Sequence, residues 1–158
     1  MKENRLQIRS AKIEDLNALI NLRKEHFDYE VNVLKNNLLD TSWATSNDSR
    51  EDFKYFILKQ IIFIAEIDDI PVGYVCGEID IKKPWYKEQF AILTNLFVKE
   101  EFRRKNIGTY LMDAFKEIVK INGVNKIEVN TCFNSNTAIS FYKKNGFKDL
   151  SRQLILDI

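Results

Sequence analysis

The chain has 158 residues, of which 45% are hydrophobic and 30% charged, a composition typical of one globular domain rather than of a disordered segment. The chain has 24 Lys and Arg residues and 23 Asp and Glu residues, so its formal net charge is +1. This near-neutral charge argues against nucleic acid as a partner. No apolar run approaches the ~20 residues of a membrane span, and the opening MKENRLQIRS lacks the apolar core of a secretory signal. Cys76 and Cys132 have no ligand-like spacing. We therefore predict a single domain over residues 1–158, cytoplasmic and reduced, without a metal or a membrane contact.

Hydrophobic periodicity predicts helices and strands in the order β-α-α-β-β-β-α-β-α-β. Ser49 and Asp52 have the spacing of a capping box at the start of the second helix. The sequence Asp-Asp-Ile-Pro between two strand patterns predicts a tight hairpin turn. The predicted elements are a strand at Leu6 and Ile8, a helix over 12–27, a helix within 46–60, two strands within 61–81, a strand over 90–98, a helix over 107–121, a strand over 126–132, a short helix within 135–147 and a closing strand over 154–158.

This order predicts an α/β protein of the α+β kind, in which helices pack on a mixed sheet. The strand over 90–98, the helix over 107–121 and the strand over 126–132 fit one right-handed βαβ crossover. Strand ends that open onto helix N-termini are where such sheets bind ligands.

A basic turn stands at the start of the third predicted helix. Arg103, Arg104 and Lys105 supply three cations there, next to Asn106 and Gly108. The first turn of a helix leaves unpaired N–H groups and carries a partial positive charge, which suits a phosphate. Gly108 removes a side chain where an anion would approach the backbone, and Asn106 enters the left-handed region readily. A solvated basic loop before an ordinary helix explains the same residues, so the spacing alone leaves both interpretations open.

Two separate motifs and the opening of the chain resemble one family. The segment "LFVKEEFRRKNIGTYLM" resembles the acetyl-CoA-binding segment of the GCN5-related N-acetyltransferases, where the pattern Arg/Gln-x-x-Gly-x-Gly/Ala is occupied here by Arg103, Asn106 and Gly108. The segment "AISFYKKNGF" is similar to the second signature of that family, and "IRSAKIEDLNALINL" is similar to its first strand and helix. The resemblance implies an acyl-CoA N-acyltransferase fold with a central, mostly antiparallel sheet, one βαβ crossover and flanking helices.

The resemblance also implies which residues contact acetyl-CoA. In the family, the loop amides and the helix N-terminus hold the CoA diphosphate, and the preceding strand bulges so that its backbone pairs with the pantetheine arm. We expect this bulge at the polar pair Thr94-Asn95, although an ordinary polar strand edge would show the same sequence. One of two asparagines before the last helix would bond the cofactor, and either could cap that helix instead. The implied cofactor-binding residues are Leu96, Phe97, Val98, Arg103, Arg104, Lys105, Asn106, Ile107, Gly108, Thr109, Asn134 and Asn136.

Acetyl transfer to an amine needs a neutral nucleophile, a polarised carbonyl and a proton for the leaving thiolate. Tyr142 matches the tyrosine that commonly protonates the thiolate in the family, and the ordinary tyrosine pKa of ~10 exceeds the ~8.5 of a thiol. A core tyrosine packed on Phe141 is the alternative interpretation. A backbone N–H of Val98 or Phe97 would polarise the carbonyl. Asn95 is placed as a catalytic residue where relatives often carry a carboxylate, and its amide can orient a water but cannot act as a base.

The general base stays unassigned in the sequence. Glu78 and Asp80 are candidates for the general base by position only, and a solvated strand edge explains both. The single histidine, His26, is expected chiefly at the surface or half buried. The acceptor would lie over the irregular segment 28–48 and the loop over 82–89. Residues that would line or charge its pocket are Trp43, Trp85, Tyr86, Asp28, Glu30 and Asp40. Aromatic packing anchors and a charge-mixed surface explain the same residues.

The leading hypothesis is an enzyme that moves an acetyl group from acetyl-CoA to a primary amine of a small molecule, polyamine- or aminoglycoside-like, or of a peptide. The amine would attack directly in a ternary complex. A non-catalytic CoA-binding or sensor domain of the same fold is the alternative, favoured by Asn95 and opposed by Tyr142. A nucleotide- or phosphate-binding regulator, which would bind ATP or DNA rather than CoA, is a third hypothesis, and the near-neutral charge argues against DNA. Edge strands leave a homodimer open.

Overall fold

The computed structural model describes residues 5–158, apart from the side chain of Asp80. Short 3-10 turns lie at Ile13–Asp15, Thr41–Thr45 and Glu100–Phe102. The helices and strands, in chain order, are β1 (Leu6–Ser10), α1 (Leu16–Asn32), α2 (Asn47–Leu58), β2 (Ile62–Ile67), β3 (Ile70–Ile81), β4 (Phe90–Val98), α3 (Ile107–Ile121), β5 (Ile127–Val129) and α4 (Asn136–Lys144). In this part of the chain, no helix combines the length and the apolar character needed to cross a membrane.

One five-stranded sheet has the order β1-β2-β3-β4-β5. The first four strands pair antiparallel with their neighbours, whereas β4 and β5 pair in parallel, so α3 forms the crossover between them. The hairpin of β2 and β3 turns at Asp68 and Asp69, whose φ angles of 50° and 65° are those of a type I′ turn. The predicted hairpin and the mixed, mostly antiparallel sheet are therefore confirmed.

Helices cover both faces of this sheet. On one face, α3 buries Phe115 in the same apolar cluster as Tyr142 of α4. On the other face, α1 and α2 bury a second cluster that includes Leu19 and Phe53. Gly77 allows α3 to approach β3, because an added Cβ would lie 2.6 Å from Cζ of Phe115. The sheet thus has a separate apolar cluster on each face.

The predicted closing strand over 154–158 is wrong. The residues after α4 form no strand, and Leu154, Ile155 and Leu156 are 90%, 73% and 81% exposed. Apolar, β-branched composition favours a strand, but it does not show that a sheet edge within the chain is available to pair with it.

Two other predicted elements differ from the structure in detail. The strand over 126–132 is shortened to β5, which leaves Cys132 in a loop. The second helix lies within its predicted range, but the capping box predicted at Ser49 and Asp52 is wrong, because the Ser46 hydroxyl accepts the Ser49 N–H at 3.2 Å and makes Ser46 the N-cap. Ser49 is instead buried in the first turn of α2.

Candidate active site

The edge of β4 that faces β5 is open over its second half. β5 pairs with β4 only as far as Leu93. On the other side of β4, Asn95 is opposite Cys76 and Leu93 is opposite Gly77, so Thr94 is an extra residue. A bulge of this kind bends a strand and ends its pairing. The bulge predicted at the polar pair is therefore confirmed, and β4 separates from β5 beyond it.

The backbone groups that face this open edge follow from the β3–β4 register. The Lys99 N–H donates to the Val72 carbonyl at 2.9 Å. Because bonded and non-bonded pairs alternate in an antiparallel ladder, Leu96 and Val98 direct their N–H and C=O groups away from β3. In agreement with this, the Val98 carbonyl accepts a hydrogen bond of 2.9 Å from Nε of Arg103.

Phe97 has the opposite orientation. Its carbonyl faces β3, since a Cβ added to Gly73 would lie 2.6 Å from that oxygen. Of the two residues considered for polarising a substrate carbonyl, the register therefore directs the N–H of Val98, and not that of Phe97, into the open edge.

The basic turn presents a row of unpaired backbone donors. Arg104 and Asn106 have φ angles of 62° and 61°, so the left-handed conformation predicted for Asn106 is confirmed. The N–H groups of residues 104–109 have no acceptor within the described chain, and the first bonded one is that of Tyr110, 3.1 Å from the Asn106 carbonyl. Alternation of left-handed and ordinary backbone before a helix forms an anion-binding concavity. The exposed side chains of Arg104 and Lys105 add positive charge there.

Packing within the described chain does not require a glycine at position 108. Gly108 has no positive φ, and an added Cβ would lie 3.4 Å from Cε2 of Phe141 and 3.8 Å from Cδ2 of Leu96. These are ordinary van der Waals distances. The absence of a side chain is therefore consistent with close approach of a ligand, as the motif implies.

Arg103 holds the turn in place. Its guanidinium lies 4.3 Å from the ring centroid of Tyr29 and 5.8 Å from that of Phe97, and its Nε is bonded to Val98. Arg103 therefore links the turn to α1 and β4, while Arg104 and Lys105 remain the cations that point to solvent.

Tyr142 lies in α4, in the apolar cluster that also contains Val98 of β4 and Ile107 of α3. Its side chain is buried, with the rings of Phe141 and Phe147 each 5.4 Å away in edge-to-face contact. Its hydroxyl makes no hydrogen bond within the described chain and is not among the atoms sealed from solvent. Burial raises the pKa of the Tyr142 hydroxyl above its ordinary value, and the nearby Glu30 carboxylate raises it further. The hydroxyl is therefore a protonated donor at neutral pH.

Neither Asn134 nor Asn136 caps α4. The N-cap is Ser135, and it makes no side-chain capping bond, so the capping alternative is wrong for both. The amide of Asn134 donates instead to the Leu34 carbonyl at 3.4 Å, which joins the loop after α1 to the loop before α4. Asn136 is exposed at the first position of α4.

A histidine–carboxylate pair lies on α1, where its histidine packs against Phe97 of β4. α1 extends beyond its predicted end, so that Nε2 of His26 lies 3.2 Å from Oε1 of Glu30. Asn36 donates to the other oxygen of Glu30 at 3.0 Å. The His26 ring stacks on Phe97 at 5.1 Å, and its Nδ1 is buried without a partner. The hydrogen bond from His26 lowers the pKa of the Glu30 carboxyl, against burial, which raises it.

Sequence reasoning missed this pair, although its i,i+4 spacing on a helix was visible. The other acidic residues considered for the acceptor are bonded elsewhere: Asp28 pairs with Lys24 at 2.6 Å, and Asp40 accepts the Ser42 N–H at 2.9 Å. Of these three carboxylates, Glu30 is the one whose charge raises the pKa of the Tyr142 hydroxyl.

The aromatic residues proposed to line the acceptor pocket lie in two different parts of the structure. Trp43 stacks on Phe27 of α1 at 5.9 Å, on the side of the His26–Glu30 pair. Tyr86 packs on Phe90 at 5.0 Å, at the end of β4 remote from the bulge, and Trp85 beside it is 78% exposed. The structure therefore does not bring the 82–89 loop to the open edge.

Asn95 and Cys76 are neighbours across β4 and β3. The Cys76 thiol lies 3.8 Å from Oδ1 of Asn95, a weak contact. Burial raises the pKa of the Cys76 thiol to about 12, so it is not a thiolate nucleophile at neutral pH. Among the residues that the structure describes, no group of three or more His, Cys, Asp or Glu side chains is arranged to hold a metal ion.

A splayed central strand beside an anion-binding turn defines an acyl-CoA transferase type of site. In agreement, the family described as "Acetyltransferase (GNAT) domain" matches residues 59–149. The chain belongs to this family of acetyltransferases, and the predicted family, fold and enzyme class are confirmed.

Similar proteins support the same assignment. The chain is 28% identical over 149 residues to a spermidine N(1)-acetyltransferase of Thermoplasma acidophilum, a match that covers 90% of this chain and 88% of that protein. A crystal structure of the PaiA N-acetyltransferase of Thermoplasma acidophilum with coenzyme A superimposes with a TM-score of 0.79 at 25% identity, over 94% and 93% of the two chains. An aminoglycoside N-acetyltransferase bound to CoA has the same fold, with a TM-score of 0.74 at 16% identity over 99% and 97%.

Proposed function

We propose that the protein acetylates a primary amine of a polyamine-type small molecule, with acetyl-CoA as the donor and direct attack in a ternary complex. One observation carries the proposal: the Glu30 carboxylate is bonded to His26, whose ring stacks on Phe97 of β4, and its charge raises the pKa of the Tyr142 hydroxyl. A carboxylate at that place attracts a cationic acceptor to the candidate acid. The likeness to a spermidine N(1)-acetyltransferase over most of both chains supports a polyamine over a peptide.

The residues at the basic turn fit the diphosphate of CoA. Unpaired N–H groups of 104–109 would hold it, with added charge from Arg104 and Lys105. The open-edge groups of Leu96 and Val98 would pair with the pantetheine arm, and the Val98 N–H would polarise the thioester carbonyl. Ile107 and Thr109 act through their backbone in this proposal, and the amide of Asn136 is the side chain left to contact the cofactor.

The chemistry assigned to the chain needs no covalent enzyme intermediate. Tyr142 would donate its proton to the leaving sulfur, because its hydroxyl is unpaired and stays protonated. Cys76, the buried cysteine near the bulge, has a raised pKa and a partner in Asn95, which opposes an acetyl-thiol intermediate there. Asn95 would orient a water or the acceptor rather than accept a proton.

An acceptor screen tests the proposal. The protein is incubated with acetyl-CoA and spermidine, spermine, putrescine, an aminoglycoside or a lysine peptide, and thiol release is followed with mass spectrometry of the product. We expect the highest kcat/KM with a polyamine. Calorimetry that shows acetyl-CoA binding, together with no thiol release for any amine, would support the non-catalytic CoA-binding domain instead. Sedimentation velocity tests the homodimer, which stays a prediction.

A further inference from the structure

We propose that two copies of this chain associate by exchanging the segment 153–158, which adds an antiparallel strand to β5 of the other copy. The proposal goes beyond the acetyltransferase function and does not depend on it. It stands on a free sheet edge and an exposed apolar segment, each without a partner within the described chain, and on the complementarity of their sequences.

The free sheet edge belongs to β5. β5 is the last strand of the sheet, and within residues 5–158 no strand pairs with its outer edge. An edge strand of this kind can pair with a strand from another chain through its backbone N–H and C=O groups. The side chains of Ile127 and Val129 are half-buried and pack on the apolar cluster under α3 and α4. A strand added beside β5 would extend this cluster.

The segment 153–158 has the pattern of a strand with one apolar face. Its sequence, QLILDI, places Leu154, Leu156 and Ile158 on the same face of an extended chain, because side chains alternate between faces. All three side chains are exposed. Clustered apolar side chains that a protein leaves exposed mark an interaction surface.

One antiparallel register aligns the apolar residues of the segment with those of β5. With Leu156 opposite Ile127, Leu154 lies opposite Val129. Residues directly opposite each other lie on the same face of a sheet, so both leucines would join the face that packs under α3 and α4. The remaining opposite pairs along β5 and the residue after it are Ile155 with Glu128 and Gln153 with Asn130.

The charged residues favour the antiparallel direction. In the register above, Asp157 lies opposite Lys126, and opposite charges on facing residues stabilise a strand pair. Lys126 is exposed and lies 3.5 Å from Glu88 of its own chain, so its ammonium retains donors for a second carboxylate. A parallel pairing that preserves the apolar contacts would place Gln153 opposite Lys126 instead, without a charge pair.

The connection after α4 favours a second copy over the same chain as the source of the segment. α4 follows β5 and packs back on the sheet, so a strand formed directly after it in the same chain would be parallel to β5. That arrangement would place the mostly polar residues 148–153 beside β5 and carry the apolar residues past its end.

The same chain is also too short to form the antiparallel register. α4 has nine residues and returns about 13 Å along the sheet, to the level at which β5 begins. Residue 153 must then lie opposite residue 130, at the other end of β5, roughly 13 Å away. Four of the residues 148–152 cover this distance when extended. The one left is fewer than the two residues of a tight hairpin turn, a restriction that a segment from another copy does not have.

The exchange would close with two-fold symmetry, because each copy provides one edge and one segment. It would also explain two differences between the sequence and the single chain. The sequence predicts strands over 126–132 and 154–158, whereas the first is shortened to β5 and the second does not form. In the exchanged dimer, each of these segments would be the partner that the other lacks.

Cysteine substitutions test which chain supplies the segment. In a Cys132→Ser background, chains with Asn130→Cys are mixed with chains with Gln153→Cys under mild oxidation, and the linked heterodimers are counted by intact mass spectrometry. We expect at least tenfold more linkage than for Lys126→Cys mixed with Gln153→Cys, because position 126 lies roughly 13 Å from position 130 along the strand. Positions 126, 130 and 153 are exposed, so the variants should fold.

Charge reversal tests the register by sedimentation velocity of the full chain. Asp157→Lys should raise the dissociation constant of the dimer about tenfold, since like charges would face each other twice in the symmetric dimer. Lys126→Glu combined with Asp157→Lys should return it to within about threefold of wild type. Asp149→Lys is the matched control, because Asp149 is exposed outside the segment and pairs with Lys143, and it should change the constant less than twofold.

A wild-type chain that stays monomeric at high micromolar concentration would overturn the exchange. So would a chain carrying both Asn130→Cys and Gln153→Cys that closes an internal disulfide as a monomer, because the segment would then pair within its own chain. A dimer that is equally stable with Asp157→Lys would show that another surface holds it together. None of these measurements uses acetyl transfer, so failure of the exchange and failure of the proposed function are distinguishable.

Discussion

Replacing Tyr142 by Phe separates a catalytic hydroxyl from a core tyrosine. The ring is buried between Phe141 and Phe147, and a phenylalanine preserves those contacts. The hydroxyl has no hydrogen-bond partner within the described chain, so its removal leaves no orphaned group, and the free energy of unfolding should change by less than about 1 kcal/mol. Loss of a proton donor to the leaving sulfur should lower kcat about 100-fold, or about 2.7 kcal/mol in the barrier.

The assay measures thiol release at saturating acetyl-CoA and amine, acetyl-CoA binding by calorimetry, and urea unfolding. Tyr55→Phe is the matched control, because Tyr55 is 45% exposed on α2 and packs only on Phe56 among aromatic rings. Because the pKa of Tyr142 is raised, the wild-type kcat should show no basic limb from its deprotonation between pH 7 and about pH 10. A kcat of Tyr142→Phe within twofold of wild type would refute the acid role.

Substitutions at three further positions test the turn and the sheet. Asn106→Gly should leave acetyl-CoA affinity similar and Asn106→Val should weaken it about tenfold by calorimetry, since a β-branched residue resists φ of 61°; equal affinities would show that the left-handed conformation is not needed. Gly108→Ala should weaken acetyl-CoA binding at least tenfold without lowering Tm, because the added Cβ meets only ordinary contacts; unchanged affinity would remove the close approach. Gly77→Ala should lower stability to urea by about 1–3 kcal/mol, since its Cβ would lie 2.6 Å from Phe115; an unchanged midpoint would contradict that packing.

The features predicted well from the sequence are those set by short-range signals. The bounds of α3 agree with the predicted 107–121, because an amphipathic period begins after Asn106 and ends before an Asn-Gly stop. The bulge was predicted because Thr94 and Asn95 are polar within an apolar strand, and the hairpin because two aspartates separate two strand patterns. Each of these depends on residues that are neighbours in the chain.

The features predicted poorly depend on what a residue meets far away in sequence. Arg103 was grouped with Arg104 as a phosphate contact, yet its partners are the Val98 carbonyl and Tyr29. The amide of Asn134 reaches Leu34, a hundred residues earlier. The segment 154–158 has a strand-like composition but pairs with no strand of the described chain. Tertiary contacts of this kind override local preference.

The position of the bulge explains how a thioester could reach Tyr142. If β5 paired with β4 along its whole length, the backbone groups of Leu96 and Val98 that face away from β3 would be bonded within the sheet. Because β5 pairs with β4 only as far as Leu93, the Val98 N–H would be open to a thioester carbonyl in the proposed mechanism. Val98 and Tyr142 belong to the same apolar cluster, so the group that polarises the carbonyl and the group that protonates the sulfur would act from one side of the sheet. A covalent acetyl-enzyme would instead need a nucleophile inside the opening, and Cys76, with its pKa raised to about 12, is unsuited to that role.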